Sequence, residues 1–178
     1  MDCAAACCTI VTPPEFVNLF CTQQIPGFAA KLEDLAVNSC SHGKLRGYPQ
    51  WVSFKITNLG RDTLEVKNSF LSYGKWYKYP NKNNDGSAPG GITIAAGATS
   101  PNPPFAACGR QGSPSGTTGG FDIYTKGFKV ATIHFDCPYT GSNKLSVSDE
   151  CKNCVVQLPS FSTSGALGDL VLKVVVLV

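Results

Sequence analysis

Hydrophobic and polar side chains alternate in short segments from about residue 48 onward. The alternation is clearest in residues 51–57 and 63–67, and the polar residues 58–62 lie between them. A period of two places the apolar side chains on one face of an extended strand. The two segments are therefore predicted to be strands, with residues 58–62 as the connecting turn.

The other strand candidates share apolar alternation or a short apolar run bounded by turn residues. They are residues 70–77, 92–94, 121–124, 128–135, 145–148, 155–158 and 170–178. Segments 121–124 and 128–135 are predicted to form a hairpin across Lys126-Gly127, whereas 81–91 is predicted to be a polar loop. Many short strands without interleaved helices predict an all-β fold, an antiparallel β-sandwich.

Residues 1–45 follow a different pattern. Thr12-Pro-Pro-Glu15 is typical of a helix start, because it combines a capping hydroxyl, an early proline and an acid in the first turn. Apolar residues then recur at helical spacing up to residue 23 and again over 27–38. The sequence thus predicts a short helical, Cys-rich extension over 1–45, which packs against a β-sandwich domain over 46–178.

Composition agrees with a turn-rich β fold. The 178 residues include 18 Gly and 12 Pro, and only 15% are charged. The formal net charge of +3 is too small to indicate nucleic-acid binding, and no block of like charges occurs.

Nine cysteines are present, and an odd number excludes complete intramolecular pairing. Cys151-Lys-Asn-Cys154 is the single CxxC motif, and no second CxxC or paired histidine accompanies it. Small buried or surface thiols are therefore favoured over a zinc site, and no cofactor is expected. Two alternatives stay open: disulfide pairing among the N-terminal cysteines, and palmitoylation of Cys7-Cys8.

The N-terminus lacks the features of a secretory signal, since no basic start and no apolar run precede Pro13. The longest apolar run, residues 170–178, contains Lys173 and is too short to span a bilayer. We expect a soluble protein that is cytoplasmic or exported by an unconventional route and that is peripheral on its target membrane.

The sequence contains little that supports a catalytic site. Gly112-Ser-Pro-Ser-Gly116 has proline where a nucleophile elbow needs serine. His134 lies in an alternating strand, where a structural role is favoured, and the spacing does not place Asp122 opposite Asp136. The Gly- and Ser-rich loop that begins at Cys108 lies beside aromatic residues. This arrangement suits recognition better than catalysis, so a binding protein is predicted and an enzyme is not.

Aromatic side chains near strand ends give the stronger signal. Rings with a polar tip suit the headgroup region of a membrane, although burial in the core is the competing interpretation. Phe54, Phe121 and Phe128 are predicted to be core residues. The candidates for contact are Trp51, Tyr73, Trp76, Tyr77, Tyr79, Phe135 and Tyr139.

Several short motifs occur in the same order as in a known family. They are Gln50-Trp-Val52, Val66-Lys-Asn68 leading to Ser72-Tyr-Gly-Lys75, Ala107-Cys-Gly-Arg110, Gly116-Thr-Thr-Gly119 with Phe121-Asp122, Asp136-Cys-Pro-Tyr139 and Ser164-Gly-Ala-Leu-Gly168. Through them residues 49–178 resemble the aegerolysins, and the N-terminal extension is not covered. The resemblance implies a β-sandwich that recognises sphingolipid-containing membranes. Some members are the lipid-binding half of a two-component cytolysin with a larger perforin-like (MACPF) partner.

The resemblance also implies a lipid-binding site. Trp51 matches a family tryptophan, whereas Tyr73, Phe135 and Tyr139 stand where membrane-binding members carry tryptophan, as does Leu145. Ser115 replaces a glutamate tied to sterol-dependent lipid selection. Arg110 and Lys75 keep the family residues and are expected to contact a headgroup phosphate. With Trp76 these form the predicted site. The alternative is a soluble, non-catalytic interaction or effector protein on the same scaffold.

Overall fold

The structure is a computed structural model that describes residues 48–177. This part of the chain folds into two β-sheets and contains no helix. The predicted helical extension over 1–45, its packing and the boundary at residue 46 lie outside the described residues and stay predictions. The predicted β-sandwich is confirmed.

The first sheet has six strands in the order β10-β11-β1-β6-β3-β4. Its neighbours are antiparallel, except that β1 and β11 run parallel. The strands are β1 (Trp51–Asn58), β3 (Lys75–Lys78), β4 (Asn81–Asp85), β6 (Thr99–Cys108), β10 (Cys154–Gln157) and β11 (Gly168–Val176).

The second sheet has five antiparallel strands in the order β5-β2-β7-β8-β9. Lys126 and Gly127 join β7 to β8 and have φ angles of 45° and 83°. A two-residue hairpin turn of type I′ requires such positive values, and the predicted hairpin is confirmed. The strands are β2 (Leu64–Tyr73), β5 (Ile92–Ile94), β7 (Thr117–Thr125), β8 (Phe128–Cys137) and β9 (Lys144–Ser148).

The core lies between the two sheets and is centred on aromatic rings. The ring of Phe54 is 5.5 Å from that of Phe105, 5.2 Å from Phe121 and 5.3 Å from Phe135, between centroids. The core predictions for Phe54 and Phe121 are confirmed, since both side chains are fully buried. The prediction for Phe128 is wrong: it is 46% exposed because it begins β8 beside the hairpin turn, beyond the edge of the core.

Three features of the strand prediction are corrected. Strand β4 is polar and lies in the segment predicted to be a loop. Strand β6 was not among the predicted strands, because it contains three prolines, which lack the N–H that strand pairing uses. The predicted strand over 70–77 is split at Gly74, where the chain passes from the second sheet to the first. Gly74 has φ 94°, and a Cβ there would lie 2.6 Å from the Cys108 carbonyl oxygen. Only glycine fits this corner.

The cysteines of the described region have two states. Cys151 and Cys154 form a disulfide, so the thiol interpretation of the CxxC motif is wrong. Cys108 and Cys137 are buried free thiols, and burial raises the pKa of Cys108 to about 11. Residues 48–177 hold no group of three or more side chains suited to a metal ion.

Asp122 is the centre of a polar network on the outer face of the second sheet. Its carboxylate accepts hydrogen bonds from Thr132 Oγ1 at 2.7 Å and Asn68 Nδ2 at 2.8 Å, and pairs with Lys129 Nζ at 3.3 Å. Burial by itself raises the pKa of Asp122, but these hydrogen bonds and the Lys129 charge outweigh burial, and the pKa is lowered.

A lowered folded-state pKa gives a pH-dependent stability. The contribution of Asp122 is present above the ordinary aspartate pKa of about 3.9 and is lost as the pH falls through the folded-state value. We expect Asp122→Asn to unfold more easily than the wild type at pH 7, by about 1–3 kcal/mol, with the difference closing below pH 4. Urea unfolding at several pH values measures this difference. A constant difference across that range would contradict the expectation.

Candidate functional site

Three chain segments meet at one end of the sandwich. They are the corner between β2 and β3, the loop between β6 and β7, and the residues after β8. Arg110 Nε donates a hydrogen bond to the Gly74 carbonyl at 3.1 Å, and Thr117 Oγ1 donates one to the Tyr73 carbonyl at 3.4 Å. We call the side chains of Tyr73, Arg110, Ser115 and Tyr139 at this end the rim.

The loop over 109–116 is fixed at both ends and by a turn between them. Gly109 N donates to the Gln50 carbonyl at 2.9 Å, and Ser113 N closes a turn on the Arg110 carbonyl at 3.2 Å. The Ser113 and Ser115 hydroxyls are 2.9 Å apart. Gly116 passes so close to the end of β8 that a Cβ there would lie 2.3 Å from the Cys137 carbonyl oxygen. The loop therefore holds Arg110 and Ser115 in place.

Two tyrosines and an arginine are exposed at the rim. Tyr73 is 57% exposed and Tyr139 is 52% exposed, each just after or at the end of a long strand. Arg110 is exposed, and within its side chain only Nε is hydrogen-bonded to another described residue. Its terminal N–H groups therefore have no hydrogen-bond partner among the described residues.

Lys75 and Trp51 lie near this end but are engaged with other side chains. Lys75 Nζ is 2.7 Å from Asp85 Oδ1 and 4.8 Å from the centroid of the Tyr48 ring. The hydrogen bond with Asp85 outweighs burial and raises the pKa of Lys75. Trp51 is half-buried on the outer face of the first sheet, with Lys82 Nζ 4.5 Å from its ring centroid. Neither side chain is free for a ligand without breaking these contacts.

Phe135 lies in the core and Trp76 packs against it, so the structure brings neither ring to the rim. Phe135 is 2% exposed, because its position in β8 points inward between the sheets. Trp76 is half-buried, with its ring 6.4 Å from Phe105 and 6.3 Å from Phe135. Leu145 is also buried. Alternation alone did not reveal which face of each strand is turned inward.

Sequence analysis missed the side chains that cover Lys75 and Trp51. Tyr48, Lys82 and Asp85 come together only because β4 folds back beside β3. Strand β4 consists of charged and amide side chains, so it has no alternating apolar positions by which a strand could be predicted. Burial, the largest influence, lowers the pKa of Lys82, in keeping with its position over Trp51.

The residues considered for catalysis have structural partners. His134 Nε2 is 3.0 Å from Ser148 Oγ, and the His134 ring meets the edge of Phe70 at 6.3 Å. Asp136 accepts a hydrogen bond from Thr118 Oγ1 at 2.7 Å. The two hydrogen bonds join neighbouring strands of the second sheet, β8 with β9 and β7 with β8.

The described residues form a helix-free β-sandwich with two exposed tyrosines and an exposed arginine at one end. The aegerolysin family model matches residues 49–176. Asp-hemolysin of Aspergillus fumigatus is 34% identical over 138 residues, which cover 73% of this chain and 95% of that protein. Ostreolysin A6 of Pleurotus ostreatus is 31% identical, with coverages of 69% and 92%. This chain belongs to the aegerolysin family.

Solved structures show the same fold. IP-1A from Alcaligenes faecalis superposes with a TM-score of 0.65 at 29% sequence identity, covering 76% of this chain and 96% of that chain. RahU protein, in complex with a Tris molecule, superposes with a TM-score of 0.67 at 26% identity, with coverages of 74% and 98%. Within residues 48–177 of this chain, no helix is long and apolar enough to cross a bilayer.

Proposed function

We propose that this protein binds membrane lipids peripherally through the rim, without catalysis. The observation that supports the proposal is that Tyr73, Tyr139 and Arg110 are all exposed at the same end of the sandwich. The rigid loop over 109–116 keeps these groups in one arrangement before a membrane is met.

Tyrosine and arginine side chains suit different layers of a membrane surface. Tyrosine places its ring at the boundary of the headgroup layer and keeps its hydroxyl in water. Arginine offers a planar fork of N–H groups that binds phosphate oxygens bidentately. Two rings and one arginine at the same end can therefore meet acyl-chain surface and headgroup phosphate together.

The family membership suggests a more specific target. We extend the proposal to sphingolipid-containing membranes and to a larger perforin-like protein as the pore-forming partner, in line with relatives named for haemolysis. Ser115 lies in the same loop as Arg110 and is the residue through which lipid selection is expected to differ. The protein would act from the cytoplasm or after unconventional export, peripheral on the target membrane.

The double variant Tyr73→Ala/Tyr139→Ala tests the role of the rim. We expect its affinity for sphingomyelin–cholesterol or ceramide phosphoethanolamine vesicles to fall at least about tenfold, because losing two partly inserted rings removes well over 1.4 kcal/mol. Vesicle sedimentation measures the bound fraction, with phosphatidylcholine vesicles as the reference lipid.

Phe128→Ala is the matched control. Phe128 is an exposed aromatic residue at the other end of β8, about 30 Å from Cys137 along a ten-residue strand. We expect Phe128→Ala to bind vesicles like the wild type. Equal losses in the control and the rim variant would contradict the proposal, as would failure of the wild type to bind either sphingolipid. Lysis only after adding a perforin-like protein would support the proposed partner.

A further inference from the structure

The turn between β9 and β10 is anchored to the second sheet on one side and begins an edge strand on the other. Cys151 N donates a hydrogen bond to the Val130 carbonyl in β8 at 2.8 Å. Three residues later Cys154 begins β10, the outermost strand of the first sheet in the described part of the chain. The disulfide between Cys151 and Cys154 therefore ties the first residue of the edge strand to a point that is fixed on β8.

The strand β10 has few other contacts that hold it. It has four residues, of which Cys154 is buried, Val156 is half-buried and the other two are exposed. Its backbone pairs with β11 over those four residues alone. A short edge strand with so little buried apolar surface opens locally at low free-energy cost. The disulfide limits that opening, because it removes the conformations in which the turn is extended.

The strand that β10 covers is strongly apolar. Seven of the eight residues 170–177 are valine or leucine, the exception is Lys173, and no glycine or proline interrupts them. An uncovered strand edge of this composition is a template for pairing with another chain. In the disulfide form β10 occupies that edge. The Glu150 carboxylate also accepts a hydrogen bond from Val156 N at 2.7 Å, so this N–H is not available to another strand either.

We propose that the Cys151–Cys154 disulfide is a redox switch: its reduction releases β10, and the uncovered edge of β11 then pairs with β11 of a second copy of this chain. The pairing that fits is antiparallel and two-fold, centred on Val175. It places Val175 opposite the same residue of the second copy and Lys173 opposite Leu177 of the second copy, so like charges do not meet. The edge of β11 is thus complementary to itself.

The reductant is a dithiol, which supplies the two electrons that the disulfide takes up. One thiolate of the dithiol attacks the sulfur of Cys151, which is half-buried, and the sulfur of Cys154, which is 7% exposed, leaves as a thiolate. The second thiolate of the reductant then displaces Cys151 from the mixed disulfide. The reductant ends as a disulfide, and the two protein thiolates take up the two protons that the dithiol lost.

Sedimentation velocity of the full chain, with and without dithiothreitol, tests the switch. The oxidised sample is first treated with iodoacetamide, so that free thiols cannot crosslink two chains. We expect the dissociation constant of the dimer to be at least about tenfold lower in the reduced sample, because the β11 edge is open only after reduction. Equal dissociation constants, or tighter association of the oxidised sample, would overturn the proposal.

The double variant Cys151→Ser/Cys154→Ser reproduces the open state without a reductant and leaves the other seven cysteines in place. We expect it to dimerise equally with and without dithiothreitol, while circular dichroism shows that it keeps the β fold. If the reduced wild type dimerises and this variant stays monomeric, another cysteine is responsible and the assignment to Cys151 and Cys154 is wrong.

A lysine at the centre of the pairing tests the β11 edge. In the Cys151→Ser/Cys154→Ser background, Val175→Lys would place two like charges opposite each other, so we expect the dimer to weaken at least about tenfold. Val171→Lys is the matched control, because Val171 lies on the same outer face of β11 but outside the residues that β10 covers. It is expected to dimerise normally. Equal effects of the two lysines would contradict pairing through this edge.

Amide hydrogen exchange measures the release of β10 directly. In a dilute, monomeric sample we expect reduction to speed the exchange of residues 154–157 at least about tenfold and to leave β7 and β8 unchanged. Unchanged exchange in β10 would overturn the switch. The inference is independent of the rim, so Tyr73→Ala/Tyr139→Ala is expected to dimerise on reduction like the wild type; loss of dimerisation there would contradict the assignment to β11.

Discussion

Replacing Phe54 by alanine is expected to lower the free energy of unfolding by about 3–5 kcal/mol. Phe54 has no exposed surface, and its ring contacts three others: Phe105, Phe121 and Phe135. Alanine would leave a cavity between the two sheets that these rigid rings cannot fill. Urea unfolding followed by tryptophan fluorescence reports on the sandwich alone, because the chain's two tryptophans, Trp51 and Trp76, lie in it.

Phe128→Ala serves as the control here as well. Phe128 is 46% exposed, so the same change in side-chain volume is expected to lower the free energy of unfolding by less than about 1 kcal/mol. If both variants lose a large part of the free energy of unfolding, Phe128 contributes to a packed region. A small loss for Phe54→Ala would show that the space between the sheets can collapse around the missing ring.

Gly116→Ala is expected to destabilise the protein by about 3 kcal/mol or more. Gly116 has φ 72°, a left-handed conformation that costs a non-glycine residue about 1–2 kcal/mol. In addition, a Cβ there would lie 2.3 Å from the Cys137 carbonyl oxygen and 2.8 Å from the Pro138 backbone. The backbone must move to relieve this overlap, and that movement displaces Ser115 from the end of β8.

Gly112→Ala isolates the conformational cost from the steric overlap. Gly112 has φ 74° in the same loop, but nothing lies within 4 Å of a Cβ placed there. We expect Gly112→Ala to lower the free energy of unfolding by about 1–2 kcal/mol and to leave vesicle binding unchanged. Gly116→Ala is expected to lower both the free energy of unfolding and the affinity for vesicles. If the two variants have similar free energies of unfolding and similar vesicle binding, the contact between the loop and β8 does not hold the rim in place.

Local patterns were sufficient to predict most of the sandwich. Alternation in β1, β2 and β8 and the Lys126-Gly127 turn are local signals, since period and turn geometry depend on neighbouring residues. β6 was missed because its prolines contradict strand propensity, although the sheet accommodates them at a bulge. β4 was missed because an edge strand needs no apolar face.

The candidate site was only partly predictable. The structure brings Tyr73, Arg110, Ser115 and Tyr139 to one end of the sandwich, whereas Phe135 and Trp76 pack in or against the core, and lipid contact by the first four stays a prediction. An aromatic residue near a strand end is equally compatible with either position. The choice depends on which strand face packs against the opposite sheet, and that packing involves residues far apart in the chain.

The sequence by itself determined the all-β class, the Lys126-Gly127 hairpin and the family, because these depend on local period, on turn residues and on ordered motifs. Tertiary structure alone decided which rings are exposed, that Asp85 binds Lys75, and that Ser53 donates a hydrogen bond to Asp169. Those contacts join residues separated by up to 116 positions. Their geometry follows from strand order and register, which arise only when the two sheets pack together.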